Sequence, residues 1–297
     1  AVDFSPNFDM DDTIVCMSVG DWTVATDVDN MPFIQEGILN SDGAWNAEAG
    51  FGDATRVTDE GSDIVTITTR YMMGFALPAD FDGVSGSDNN IYFYVNGIGW
   101  PPMDPMAKGY VMISEDGALS MRCGPSGDPL LASIDVHGDA YTCKAVVGTL
   151  GVEVDFSEGP TPSVSEIEPC AGVAVYHTVE LDDCCPEWES ACKDPSGPTF
   201  AVVAYTPDGE KAFATTSGSR SFLEGTDGDG FTMRWGYPWL FGAGNPLDES
   251  AFSVSLDDGV SFNQIGLIDT DIDCLSDVAI CPDCSVIYLS TINEAVV

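Results

Sequence analysis

The residues whose type and spacing best suit chemistry are aspartates that alternate along the chain. Asp269, Asp271 and Asp273 place carboxylates at every second position, and Asp277 follows four residues later. Oxygen ligands spaced in this way can converge on one hard cation, and calcium, which takes about six to eight oxygens, is the ion such a set suits. Asp27 with Asp29, and Asp227 with Asp229, are shorter versions of the same signal. In an extended chain each pair lies on one face, where a cation would relieve the repulsion between its carboxylates. A solvated acidic sheet edge is the competing explanation, because charge along an edge deters sheet-to-sheet aggregation.

Other catalytic signals are sparse. His137 and His177 are the two histidines of the chain, and no Gly-x-Ser-x-Gly elbow accompanies them to supply an activated serine. The glycine-rich phosphate loop ending in lysine and the dinucleotide-binding fingerprint are missing from the sequence as well. A glycosidase needs two carboxylates, and 49 acidic residues supply such a pair without locating it. The aromatic run that contains Trp235, Tyr237 and Trp239 is the best contact surface by composition. Aromatic faces stack on sugar rings or fill a partner's pocket, while burial in a core is the plainer use of the same residues.

Charge then limits the partners. With 49 acidic residues against 9 basic ones, the chain carries a formal net charge of −40. A compact body so charged repels itself unless salt or bound cations relieve it, which points to saline surroundings. Nucleic acid and anionic membrane surfaces are excluded as favourable partners on the same ground. The chain is nevertheless 44% hydrophobic with 15 Phe, 9 Tyr and 6 Trp, so it can build a core and is not expected to be disordered. No apolar run approaches the roughly 18 residues that a spanning helix requires, so membrane insertion is not expected. A first residue Ala1 in place of Met is what removal of a signal peptide leaves behind.

Ten cysteines support the same compartment: Cys16, Cys123, Cys143, Cys170, Cys184, Cys185, Cys192, Cys274, Cys281 and Cys284. An even number scattered through loop-rich sequence predicts up to five disulfides in an oxidising environment. Zinc is the rival, because Cys281 and Cys284 have a ligand-like spacing, but a zinc ribbon needs a second well-spaced pair. Cys184 and Cys185 are adjacent, so each is expected to reach elsewhere rather than to its neighbour.

Three local resemblances add to this reading. The aspartates from Asp269 to Asp277 resemble the front of an EF-hand calcium loop, but Cys274 stands where the turn glycine belongs and Ile280 where the last ligand belongs. Ser255, Asp257, Gly259, Ser261 and Phe262 resemble the Asp-box, a hairpin motif of sialidases and other secreted β proteins, with Ser261 in place of Thr and Phe262 in place of Trp. That resemblance implies a structural turn away from any active site. The stretch with Cys184, Cys185, Trp188 and Cys192 is similar to a small cassette of secreted bacterial surface proteins, which implies secretion and durability.

The elements that would hold these residues are strands. Residues 63–69, 91–95, 130–136, 145–156, 173–179, 200–205 and 285–290 are rich in β-branched and aromatic types, and Asp-Gly pairs at Asp116, Asp208 and Asp258 predict hairpins between strands. One short helix is expected over 186–193, with Pro186 in its first turn. The expected fold is all-β, an antiparallel β-sandwich or jelly-roll-like arrangement stapled by disulfides. Residues 157–169, rich in Pro, Ser and acid, predict a linker (158–169) between β domains at 1–157 and 170–297, with one larger β domain as the alternative. The function expected is that of a secreted, extracellular structural or adhesive protein, a subunit of a filament, sheath or surface layer that pairs with copies of itself. The alternative is a carbohydrate-active protein, either a polysaccharide-binding module or a carboxylate-dependent glycosidase.

Overall fold

The computed structural model describes residues 1–19, 32–38, 55–56, 64–66, 73–84, 89–99, 108–115, 118–127, 129–150, 152–155, 163–166, 175–196, 200–217, 250–268 and 274–292. These residues form antiparallel sheets with a single turn of helix, α1 (Phe8–Asp11), as the composition leads one to expect. The first sheet runs β1 (Val2–Phe4), β2 (Thr13–Val19), β3 (Pro32–Ile38) and β4 (Thr55–Arg56) in consecutive order. The second is built on β7 (Asn90–Gly99), flanked on one side by β5 (Ile64–Thr66) and β6 (Met73–Ala76) and on the other by β8 (Lys108–Glu115), then β9 (Ala118–Arg122). The third joins β10 (Leu131–His137), β11 (Lys144–Thr149), β14 (Val175–Thr178) and β15 (Glu189–Ser190), with a separate hairpin of β12 (Val152–Asp155) and β13 (Ser163–Glu166) inserted after β11. The fourth is a meander of β16 (Phe200–Tyr205), β17 (Ala212–Ser217), β18 (Ser250–Ser255) and β19 (Asn263–Ile268), and β20 (Cys274–Ile280) pairs with β21 (Ile287–Ile292) as a last hairpin.

The apolar runs explain how the sheets stack. In β7 the residues alternate between two cores: Ile91, Phe93 and Val95 cluster with Val15 and Met17 of the first sheet, whereas Tyr92 and Tyr94 cluster with Ile134, Val136 and Val147 of the third. A strand that must fill a core on each face has no polar side, which is why this segment reads as an unbroken apolar run. β11 is used in the same way, with Ala145 and Val147 facing the second sheet and Val146 facing the fourth. The result is an all-β stack of antiparallel sheets packed face to face, as the expected sandwich-like architecture requires. Buried Asn96 ties the second sheet to the third, accepting from Leu131 N–H and donating to Leu131 O, both at 2.8 Å.

Several local expectations change. Residues 186–193 form no helix, because their amides are taken by neighbouring strands: Ala191 N–H donates to Val175 O and Cys192 N–H to Val260 O, while Glu189 and Ser190 pair with β14. Within the expected linker, residues 163–166 form β13 and pair with β12 from Val152 opposite Glu166 to Asp155 opposite Ser163. β11 and β14 lie on opposite sides of that segment and pair in one sheet over a shared core, so strand pairing crosses the boundary that composition suggests. Of the three Asp-Gly hairpins, the one at Asp116 joins strands paired up to Glu115 and Ala118, whereas those at Asp208 and Asp258 sit in longer turns. Among the described residues, no helix is long and apolar enough to cross a membrane.

Candidate functional site

The densest polar constellation among the described residues lies where the third sheet meets the fourth. β16 pairs with β17 along one edge, and its other edge faces β10. Ser133 and Asp135, two apart on β10 and so on one face, reach that second edge: Ser133 Oγ donates to Ala201 O at 3.0 Å and accepts from Val203 N–H at 3.1 Å, and Asp135 Oδ2 accepts from Tyr205 N–H at 2.6 Å. Side chains thereby satisfy backbone groups that an edge strand leaves open. The sheets come so close here that a Cβ on Gly148 would stand 2.1 Å from Ala201 O. Burial pushes the Asp135 carboxyl up to about 7, although the amides of Tyr205 and Val136 both favour its charged form.

At the end of this seam two turns converge on Lys144. Its Nζ donates to Gly209 O at 2.8 Å, forms an ion pair with Asp258, and stands 5.1 Å above the ring of Tyr205. His137 packs its ring on Gly209, whose φ of +68° and lack of a Cβ make the contact possible; a Cβ would lie 2.2 Å from His137 Nε2. Burial, and next the Lys144 charge, hold the His137 imidazole below its ordinary value. The Tyr205 hydroxyl is buried without a hydrogen-bond partner, and burial, followed by Asp258 and Asp135, pushes its ionisation upward.

Asp258 belongs to the turn that resembles an Asp-box, and the hydrogen bonds explain the residue pattern. Ser255 Oγ donates to Asp257 Oδ1 at 2.7 Å and accepts from Gly259 N–H at 2.9 Å. Asp257 in turn accepts from Ser261 N–H at 2.9 Å and from Ser261 Oγ at 2.6 Å. Asp258 and Gly259 both have positive φ, at 58° and 92°, which a glycine tolerates and an aspartate tolerates better than most residues. Phe262, 1% exposed, plugs the turn into the core formed by Val146, Val203 and Tyr205. The hydroxyls of Ser261 and Ser255, with the Ser261 amide, hold the Asp257 carboxyl below its usual range.

Each charged group in this constellation is thus engaged by backbone or by an opposite charge. Its chemistry is that of a fastening, with no nucleophile bonded to either histidine among the described residues. His177 packs against Gly259, its Nε2 lies 3.7 Å from Glu189, and its Nδ1 is buried without a partner. Lys144 carries the faintest sequence signal of the group. Its one signal is rarity, a basic residue at a strand start in a chain with nine of them.

The sequence-derived candidates are distributed differently. Asp27, Asp29, Asp227, Asp229, Asp269, Asp271, Asp273, Trp235, Tyr237, Trp239 and Cys170 lie outside the described residues. Asp277 and Cys274 are placed on β20 by their backbones, with Asp277 opposite Ser290 and Cys274 opposite Ile292. Among the described residues, no group of three or more His, Cys, Asp or Glu is disposed to hold a metal ion.

Of the cysteines, Cys123 and Cys185 form a disulfide with a Cα separation of 4.7 Å, so Cys185 does reach away from its neighbour Cys184. Trp188 is buried beside the bridge and donates its Nε1–H to Cys123 O at 2.7 Å. Where the count of ten leads one to expect up to five bridges, Cys16, Cys143, Cys184, Cys192, Cys281 and Cys284 stand as thiols. Cys143 is sealed in the core between the second and third sheets, and burial pushes its thiol up to about 11.

No protein-family model matches this chain, and no curated protein matches it. One solved structure with detectable similarity comes from Bacteroides fragilis NCTC 9343 and carries a provisional 6-phosphogluconolactonase assignment. It is 11% identical over 94% of this chain and 88% of that chain, with a TM-score of 0.27, a likeness too slight to carry a conclusion about fold or activity.

Proposed function

We propose that this protein is a secreted structural or adhesive β protein that associates with copies of itself in saline surroundings. The observation that carries the reading is the β20–β21 hairpin, a two-stranded sheet that ends on β21 among the described residues. Along that end the side chains alternate between half-buried and exposed, and Tyr288 and Val286 are 63% and 44% exposed. A strand with an apolar outer face at a sheet end is a template for main-chain pairing with another chain. The Cys123–Cys185 bridge supports an oxidising compartment. Support for a structural role also comes from the use of buried polar groups as fastenings: Asp11 accepts from Ser5 Oγ, Thr13 N–H and Gly83 N–H, joining three chain segments.

Charge opposes self-association at low salt, so assembly depends on screening or on cations. Sedimentation and electron microscopy across a series of sodium chloride and calcium concentrations test this. Ordered polymers are expected at high salt or with calcium, and Tyr288→Lys is expected to abolish them while the melting temperature holds. If Asp269, Asp271 and Asp273 bind calcium, chelation at fixed ionic strength lowers the melting temperature, because a ligand of the native state stabilises it by mass action. Discrete particles under every condition, together with retention on a polysaccharide column, would overturn the structural reading in favour of a carbohydrate-active protein that uses Trp235, Tyr237 and Trp239.

A further inference from the structure

The turn between β20 and β21, residues 281–286, holds two thiols that lie outside the buried core, Cys281 and Cys284, the second hydrogen-bonded to the Asp208 side chain. Cys281 N–H donates to Val286 O at 3.0 Å, and Cys284 N–H donates to Cys281 O at 2.9 Å, closing a β-turn over Pro282 and Asp283. A β-turn brings its first and fourth Cα atoms within about 7 Å, and a disulfide needs them about 4.4 to 6.8 Å apart, so the turn presents the two cysteines at bridging range. Both are partly exposed and open to small reagents. Cys281 Sγ accepts from Val286 N–H at 2.9 Å and its own S–H donates to Asp283 Oδ1 at 2.7 Å, so bonds within the turn fix the position of this sulfur. Cys284 has a φ of 57°, a left-handed conformation that residues other than Gly, Asn and Asp rarely adopt.

We propose that Cys281 and Cys284 are a dithiol–disulfide site that exchanges with low-molecular-weight disulfides, the bridged form locking the β20–β21 turn. The thiolate of Cys281 attacks one sulfur of the small disulfide, breaks its S–S bond and expels a thiolate, which takes up the proton that Cys281 has lost. The thiolate of Cys284 then attacks the Cys281 sulfur, forming the internal bond and releasing the second small thiol. Two electrons and two protons pass from the cysteine pair to the small disulfide. The site is independent of self-association and stands whether or not the protein polymerises.

The sequence itself supplies a clean assay, since Asp277 separates Cys274 from Cys281 and Asp283 separates Cys281 from Cys284. The folded full-length chain is incubated with oxidised glutathione, its remaining thiols are alkylated, and the unfolded chain is cut on the amino side of aspartate. The fragment 277–282 and the fragment beginning at Asp283 are expected to leave as one linked species that separates on reduction. In Cys284→Ser, Cys281 is expected to retain a glutathione adduct. Alkylation of both cysteines after oxidant, separate glutathione adducts on each, or a link from either to another cysteine would overturn the proposal. The wild-type fragment map decides it without any variant having to fold.

Discussion

Asp135 and Asp257 show how two carboxylates in one small region acquire opposite roles in stability. Asp257 is fixed by donors that favour its charge, so its contribution is present above the ordinary carboxylate value and lost as pH falls through its lowered one. Removing it in Asp257→Ala takes the acceptor from the Ser261 amide at the protein surface, where water replaces it, and is expected to cost about 0.5 to 1.5 kcal/mol at neutral pH, measured by urea denaturation. Asp135 behaves the other way. Its folded-state value is raised from 3.8 to about 7, so its contribution is complete below about pH 4 and is lost as pH rises through 7. Between those limits the native chain should lose stability relative to Asp135→Asn with increasing pH, by at most about 1.4 kcal/mol per unit. The difference between the two urea midpoints at pH 5 and pH 8 measures it. A difference that stays constant would mean that the carboxyl is already charged at pH 5.

At the scale of elements, the contact between β11 and β16 is the most demanding in the described fold. Gly148 allows the two strands to approach until Ala201 O occupies the space of a side chain, and Ser133 and Asp135 complete the seam with hydrogen bonds. Gly148→Ala must push a backbone carbonyl aside, so it is expected to destabilise by about 1 to 3 kcal/mol, the usual cost of overpacking, even though alanine suits a strand at least as well as glycine. Chemical denaturation checks this, and an unchanged midpoint would show that the sheets can separate without loss. The hairpin at Asp258 follows the same logic. Its turn is fixed by Ser255 and Asp257, and Phe262 turns that local geometry into burial against a neighbouring sheet.

For the molecule as a whole, a charge of −40 has to be held together by apolar stacking and by covalent or ionic ties. The Cys123–Cys185 bridge spans 62 residues and joins the end of β9 to the approach of β15, across the segment between residues 157 and 170. For a loop of that length, the chain-entropy model assigns about 4 kcal/mol of stabilisation. The double variant Cys123→Ser with Cys185→Ser is therefore expected to lose several degrees or more of melting temperature, with low salt deepening the loss because self-repulsion is then less screened. Calorimetry of the variant at low and high sodium chloride reads both effects. A loss independent of salt would separate the bridge from the charge problem.

The antiparallel sheets are legible in the residues alone, because β-branched and aromatic runs such as Ile91 to Val95 carry their preference locally. So is the turn that resembles an Asp-box, whose hydrogen-bond partners all lie within eight residues of one another, from Ser255 to Phe262. Other features depend on partners distant in the chain. Residues 186–193 carry a helix-start pattern, yet Val175 and Val260 capture their amides, and no local signal foretells that. The pairing of Cys185 with Cys123, the anchoring of Lys144 by Asp258 and the rise of Asp135 toward neutrality each need two or more segments brought together and water removed from between them. Composition counts the charges and thiols of a chain, but desolvation and alignment assign their roles, and both arise only when the sheets stack.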